Sequence, residues 1–220
     1  VDSIMQSPSN NIMNKLARSI LSLYSYSDVT ENTTIEDEMS IALDLIAKMP
    51  ILMDGAYQAK RHKYDNASLI MHPLRPEENT AESILSLIRN DRSYTKAEAQ
   101  LLDTLLALHA DHGGGNNSTF ACRVATSSGT DPFAAYTSAI NSLKGPRHGG
   151  ANIKVIQMLD DIKAHVAHWE NEGEVADYLT KILRKEANDG SGLIYGMGHA
   201  VYTLSDHRAV ILKRKAMALA

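Results

Sequence analysis

The chain has 220 residues, enough for one or two domains with a substantial core. Apolar residues make up 44% and charged residues 22%, the balance of an ordinary soluble globular protein, and a net charge of −4 with scattered basic residues argues against a nucleic-acid partner. A lone cysteine, Cys122, rules out an internal disulfide framework and favours a reducing compartment. No uninterrupted apolar run is long enough to span a membrane, and no secretory leader is visible. The first residue is Val1 rather than Met, which reads as a processed chain or a piece of a longer one.

Leu, Ile, Ala and Met dominate the apolar content, which favours helices over strands. Residues 1–10 are polar, and Asn10 or Asn11 can cap a helix to about Tyr26 whose Ile12, Leu16, Ile20 and Leu23 share a face. Thr34 and Asp37 mark a second start, with Met39, Leu43, Ile46 and Ala47 carrying that helix to Pro50. The proline predicts a bend, then a further helix over 51–63. Residues 64–79 read as irregular, followed by a short helix over 80–89. Thr95 and Glu98 form a capping-box pattern ahead of Leu101, Leu102, Leu105, Leu106 and Leu108. Helices are expected over 118–128, rich in small residues, and over 132–143, 151–166, 172–187 and 205 to the end, with a turn at 188–192. No repeat and no succession of alternating apolar runs is present, so the expected fold class is all-α.

Three stretches set histidine against glycine. They are His109-Ala-Asp-His112-Gly-Gly-Gly-Asn-Asn-Ser118, Gly145-Pro-Arg-His148-Gly-Gly-Ala-Asn152 and Gly196-Met197-Gly198-His199-Ala-Val-Tyr202. Glycine lets a backbone adopt positive φ or approach a ligand closely, at an entropic cost. Repeating that cost beside histidine suggests the walls of one pocket. His148 stands at the sharp entry to a helix, beside free N–H groups, where a neutral imidazole can donate one hydrogen bond to a carbonyl. His199 precedes Arg208, and the two together suit a small dicarboxylate whose carbonyl is to be polarised.

Other readings fare worse. His109, Asp111 and His112 have a spacing that matches zinc motifs poorly, so no metal is expected and His109 reads as a core or surface residue. His112-Gly-Gly-Gly115 is like a lipase oxyanion loop, but the required Gly-x-Ser-x-Gly is absent. Gly196-Met-Gly198 lacks the third glycine and the βαβ setting of a dinucleotide turn. His165 and His168 read as a solvated face, Cys122 as a packed thiol, and Tyr24, Tyr26, Tyr57 and Tyr64 as core or rim.

The three motifs, in this order and spacing and with Asp206-His-Arg208 after the third, resemble citrate synthase, most strongly over 95–213. The resemblance implies an all-α, multi-helical fold, with 1–147 part of a large helical domain and 148–220 part of a small one, each shortened relative to the family. It implies condensation of acetyl-CoA with oxaloacetate to citrate and CoA in the tricarboxylic acid cycle. His148 would hold the thioester carbonyl and stabilise the enol, and His199 would polarise the oxaloacetate carbonyl. His112 and Arg208 would bind oxaloacetate oxygens, and Gly196, Met197 and Gly198 would lie near CoA. No cofactor is implied, since acetyl-CoA is a substrate. The implied assembly is a homodimer of packed helices, in the bacterial cytoplasm or alternatively the mitochondrial matrix.

Two departures stand out. His207 occupies a place where the family has proline, and the family's proton-abstracting aspartate has no matching motif in these residues. The chain is therefore expected to be an internal fragment with little condensation activity of its own, prone to self-association. Rival expectations are a 2-methylcitrate synthase using propionyl-CoA, a non-catalytic helical dimerisation or ligand-binding module, and a metal-dependent hydrolase.

Overall fold

The computed structural model describes residues 6–28, 31, 33–111, 113–198 and 203–219. Among them every regular element is helical: α1 Ile12–Ser22 with a 3-10 turn at Leu23–Tyr26, α2 Ile35–Tyr64, α3 Thr80–Ile88, α4 Lys96–Ala110, α5 Asn117–Ser127, α6 Pro132–Lys144, α7 Ala151–His165, α8 Glu172–Leu183 and α9 His207–Leu219. The all-α expectation holds for these residues. By compactness the chain forms two units, 1–143 together with 206–220, and 144–205.

In the first unit the helices start where side chains can satisfy their free N–H groups. Asn11 Oδ1 accepts from Asn14 N at 2.9 Å. Reciprocal capping boxes close α2 (Thr34 and Asp37), α3 (Asn79 and Glu82) and α4 (Thr95 and Glu98). Arg89 adds a 2.6 Å bond to Glu98, and with the Thr95 donors this holds the Glu98 carboxyl down to about 2. The core gathers Leu16 and Ile20 of α1, Ile41, Leu45, Leu52 and Ala59 of α2, and Phe133 of α6. Thr137 of α6 donates to the Ala17 carbonyl at 3.2 Å, locking α6 onto α1. Helix α2 also packs on α3, α3 on α4, and α9 on α4.

Two boundaries differ from the sequence expectation, each for a local reason. Helix α2 runs unbroken for 30 residues through the buried Pro50, so 35–49 and 51–63 are one helix. The proline removes one backbone donor, but the single carbonyl released is that of Ile46, an exposed residue, while burial on both sides of Pro50 keeps the helix together. Helix α8 stops at Leu183 instead of continuing to Ala187. Lys185 takes φ +66°, its N–H bonds to Ile182 O at 2.9 Å, and Glu186 N bonds to Lys181 O at 2.9 Å. That pair of bonds is a Schellman stop built on a lysine where glycine is usual, so the sequence carried no signal of it.

The second unit has its own small core of Met158, Ile162 and Val166 against Tyr178 and Ile182. Tyr178 donates its hydroxyl to Asp161 at 2.8 Å, and burial together with that carboxylate pushes the phenol up to about 12. Asn171 caps α8 through bonds from Gly173 N and Glu174 N.

Buried polarity in α2 gives a test of the fold. Asp54 is 3% exposed and its carboxyl is pushed up chiefly by burial, which the Gln58 amide at 3.2 Å and the His72 charge only partly offset. With the folded-state value raised, the native state binds the proton more tightly than the unfolded chain. Stability therefore falls as pH rises through the ordinary carboxylate range towards the folded value. Asp54→Asn keeps an oxygen for Gln58 and removes the buried charge. It is expected to raise the urea midpoint at pH 7, with the gain shrinking on acidification to pH 3.

Candidate active site

The first motif begins where α4 ends. Asp111 closes that helix in an extended conformation, its N–H reaching Leu108 O at 3.3 Å. After the glycines, Asn116 N bonds to Gly113 O at 3.1 Å, and Asn116 Oδ1 caps α5 by accepting from Ser118 N at 2.8 Å and Thr119 N at 3.3 Å. A β-carbon at Gly113 or Gly115 would meet nothing within 4 Å, and at Gly114 only Arg123 Nη1 at 3.9 Å. None of the three glycines has the positive φ that would demand glycine. Contacts among the described residues therefore do not explain why glycine stands at these three positions.

Arg208 lies in the first turn of α9. Asp206 accepts its backbone N–H at 2.8 Å, so the aspartate is the cap of the helix as well as the partner of the side chain. Asp206 Oδ1 and Oδ2 each lie 3.1 Å from Nε, and Oδ2 lies 2.6 Å from Nη2, a forked charge-assisted pair. Nη1 donates to the backbone carbonyl of Asp111. The arginine of the third motif is thus tied to the residue just before His112 in the sequence. His207 occupies the first helical position, a place that proline also fits, and leaves the Arg208 contacts intact.

Arg208 lines an open cleft of about 480 Å³ with Leu108, His109, Asn116, Ser118, Leu143 and Leu212. His109 is part of that wall, exposed, with Nδ1 donating to Leu105 O at 2.7 Å, which fixes the orientation of the ring. Nothing in its sequence setting separates it from a surface histidine. Apolar Leu108, Leu143 and Leu212 beside one guanidinium suit a small anion with a short carbon skeleton.

In the second unit the second motif and part of the third converge on α7. Residues 145–149 form a turn in which His148 N and Gly149 N both bond to Gly145 O at 3.0 Å. Gly150 then opens α7 with no side-chain cap. A β-carbon at 150 would fall 2.3 Å from the Pro146 carbonyl oxygen, so only glycine lets the turn fold back this tightly. His148 is half-buried, three residues before the start of α7. Gly196 has φ +84°, and a β-carbon there would lie 3.1 Å from Val155 of the same helix. Gly198 has φ +79°, and Met197 between them is 77% exposed. Gly196–Gly198 therefore lies beside the first turns of the helix that His148 introduces.

A polar cluster that the sequence reading did not single out holds this arrangement. Lys154, next to Val155, bonds to Asp189 at 2.9 Å and sits 5.6 Å from the centre of the Tyr195 ring. Tyr195 donates its hydroxyl to Asp189 at 2.7 Å, and Ser191 N donates at 3.1 Å. Bonds from Ser191, Tyr195 and Lys154 hold the Asp189 carboxyl far below the usual carboxylate range, while Asp189 raises Lys154. The only sequence signal was the turn pattern at 188–192, where Asn188, Gly190 and Gly192 all take positive φ.

His112 and His199 lie outside the described residues. Among those described, no three His, Cys, Asp or Glu side chains form a metal-binding group. His165 and His168 are exposed and engaged with Asp161 and Glu174. No helix among the described residues is long and apolar enough to cross a membrane.

The family model described as citrate synthase, C-terminal domain, matches residues 1–220. The citrate synthase of Corynebacterium glutamicum is 34% identical over 208 residues, which is 93% of this chain and 44% of that protein. That of Haloferax volcanii is 34% identical over 196 residues, 88% of this chain and 45% of that protein. The chain thus spans less than half the length of these relatives. The crystal structure of citrate synthase from Pyrobaculum aerophilum superposes with a TM-score of 0.69 at 23% identity, covering 99% of this chain and 52% of that one. The fold is shared with it.

The turn at 145–150 generates a sharp expectation. Gly150→Ala forces a methyl group into the Pro146 carbonyl, so the turn must open or the helix start must move. The expected loss is about 1–3 kcal/mol of stability, the range for overpacking, read as a lower urea midpoint. Ala at 151, just inside the helix, shows that the limit is local to 150.

Proposed function

The chain belongs to the citrate synthase family, and we propose that the protein carrying it condenses acetyl-CoA with oxaloacetate to give citrate and CoA. The observation that carries this reading is the pairing of motifs inside each unit. Arg208 grips Asp111 beside the first histidine motif, and Gly196 sits on the helix that follows His148. Each unit brings together stretches that are far apart in the sequence, which supports the reading.

In the proposed reaction Arg208 and His112 bind the carboxylate oxygens of oxaloacetate, and His199 donates to its keto oxygen. His148 donates to the thioester oxygen of acetyl-CoA, which lies against the backbone of Gly196–Gly198. A carboxylate base removes a methyl proton, and the enol held by His148 attacks the keto carbon. The new carbon–carbon bond gives citryl-CoA, with the former keto oxygen gaining a proton. Water then cleaves the thioester, releasing citrate and the CoA thiol. The scheme draws on donors and charge placed in advance, and it calls for no cofactor.

The base has no matching motif in these 220 residues, so the isolated chain is proposed to turn over little. A homodimer fits the surface of α5, which buries no residue within the chain and exposes Phe120 (65%) and Val124 (52%). The proposed setting is the bacterial cytoplasm, in keeping with a single free thiol.

The test follows CoA thiol release and citrate formation by the full-length gene product, with acetyl-CoA and with propionyl-CoA. Faster turnover of acetyl-CoA is expected. His148→Ala should lower kcat by about 10²–10⁴-fold, the usual contribution of a positioned acid–base group. Arg208→Leu should weaken oxaloacetate binding by roughly 10–100-fold, the worth of a charged hydrogen bond. Wild-type protein that makes no citrate, or an isolated 220-residue chain as fast as the full-length product, contradicts the reading.

A further inference from the structure

We infer that Asp189, with Lys154 and Tyr195, is a positioning residue for the reaction: it fastens the 189–198 segment to α7 so that the backbone at Gly196–Gly198 meets acyl-CoA at a fixed place relative to His148. This rests on the reading of Gly196–Gly198 as part of the acyl-CoA site.

The segment has little else to hold it. Its backbone leaves the helical region at Asn188, Gly190 and Gly192, and Leu193 is 57% exposed. Ile194 and Tyr195 are only partly buried against the small core of the second unit. A loop with several left-handed residues, Gly196 and Gly198 among them, and few apolar contacts samples many conformations unless polar contacts restrict it.

Asp189 supplies the restriction at three points. It takes the Ser191 N–H at 3.1 Å, which closes the turn onto itself. It takes the Tyr195 hydroxyl at 2.7 Å, which draws the far end of the loop back to its beginning. It takes Lys154 Nζ at 2.9 Å, which docks the closed loop on the helix. The Tyr195 and Ser191 hydroxyls are 3.2 Å apart, and Ser191 Oγ also accepts from Leu193 N at 3.2 Å, so the two serine and tyrosine contacts brace each other.

The anchor points on α7 are adjacent residues. Lys154 takes the start of the loop and Val155 meets Gly196 near its end. Lys154 N itself bonds to Gly150 O at 3.2 Å, in the first turn of the helix. The clamp and the His148 turn therefore share one rigid rod, separated by a single helical turn. Loosening the loop moves Gly196–Gly198 relative to His148. Displacements of about 1 Å in such constellations are expensive in rate.

The experiment compares the full-length gene product with Asp189→Asn, Tyr195→Phe, Lys154→Met and Lys154→Arg. Asparagine keeps an acceptor but loses the charge, and phenylalanine keeps the ring under Lys154 but loses the hydroxyl. Two readouts are taken: amide hydrogen exchange over 189–198, and the steady-state constants for acetyl-CoA. Asp189→Asn and Lys154→Met are expected to speed exchange in that segment about tenfold, raise the KM for acetyl-CoA several-fold and lower kcat. Lys154→Arg should restore most of the wild-type behaviour, and Tyr195→Phe should fall between. A merely structural role would lower kcat through loss of folded enzyme with KM unchanged, and that result overturns the inference. So does wild-type exchange over 189–198 in all the variants, or faster exchange with unaltered kinetics. If Asp189→Asn does not fold, Lys154→Met and Tyr195→Phe decide alone. Wild-type protein without citrate-forming activity, whose Asp189→Asn variant nevertheless exchanges faster over 189–198, sinks the functional reading and supports the clamp.

Discussion

The carbonyl of Pro146 occupies the space that a side chain at residue 150 would need, and much of the second unit follows from that contact. It fixes where α7 begins and how closely the chain folds back before it. It sets His148 at the entry of the helix rather than along its side. The helix it starts carries Lys154 and Val155 in its first turns, and these two residues receive the loop of the third motif. A larger residue at 150 would disturb the start of the helix, the histidine and the docking surface together. The need for glycine at 150 is therefore set by the backbone of residue 146 and not by the helix propensity of its own position.

The first unit solves the complementary problem with charge. Arg208 carries a full charge on a surface helix, and Asp206 both caps that helix and holds the guanidinium by a fork of hydrogen bonds. The remaining amino group reaches the Asp111 carbonyl at the end of α4, while α9 packs along α4. The packing of the two helices thus brings the arginine to the first motif, and the cap keeps it extended into the cleft. An anion entering the cleft would meet a guanidinium already oriented, with the entropy of ordering its long side chain spent during folding.

Much of this was legible in the sequence because it rests on local signals. The Thr34–Asp37 and Thr95–Glu98 pairs announce their helices, and both boxes form. Spacing by three and four predicted Leu16 and Ile20 in the core. What escaped depended on long-range or unusual local chemistry. Pro50 reads as a bend, yet burial carries α2 through it. The end of α8 rests on a left-handed lysine, which no residue preference marks. Equal-looking glycines turned out unequal: 150 is sterically required and 196 takes a left-handed backbone close to Val155, whereas no contact among the described residues demands glycine at 113–115. Lys154 and Asp189 are 35 positions apart, and nothing in their spacing tells that they meet.

The anchor of Arg208 on Asp111 has one more implication. The arginine holds the peptide oxygen of that residue, and φ −88° with ψ 90° is open to any amino acid with a β-carbon. The lock therefore reads the path of the main chain and ignores the identity of the side chain at 111. Drift at that position leaves the grip untouched, whereas exchanging the guanidinium for lysine would give up the planar fork that serves Asp206 and the peptide oxygen at once. Evolutionary freedom on one side of the joint is matched by rigidity on the other.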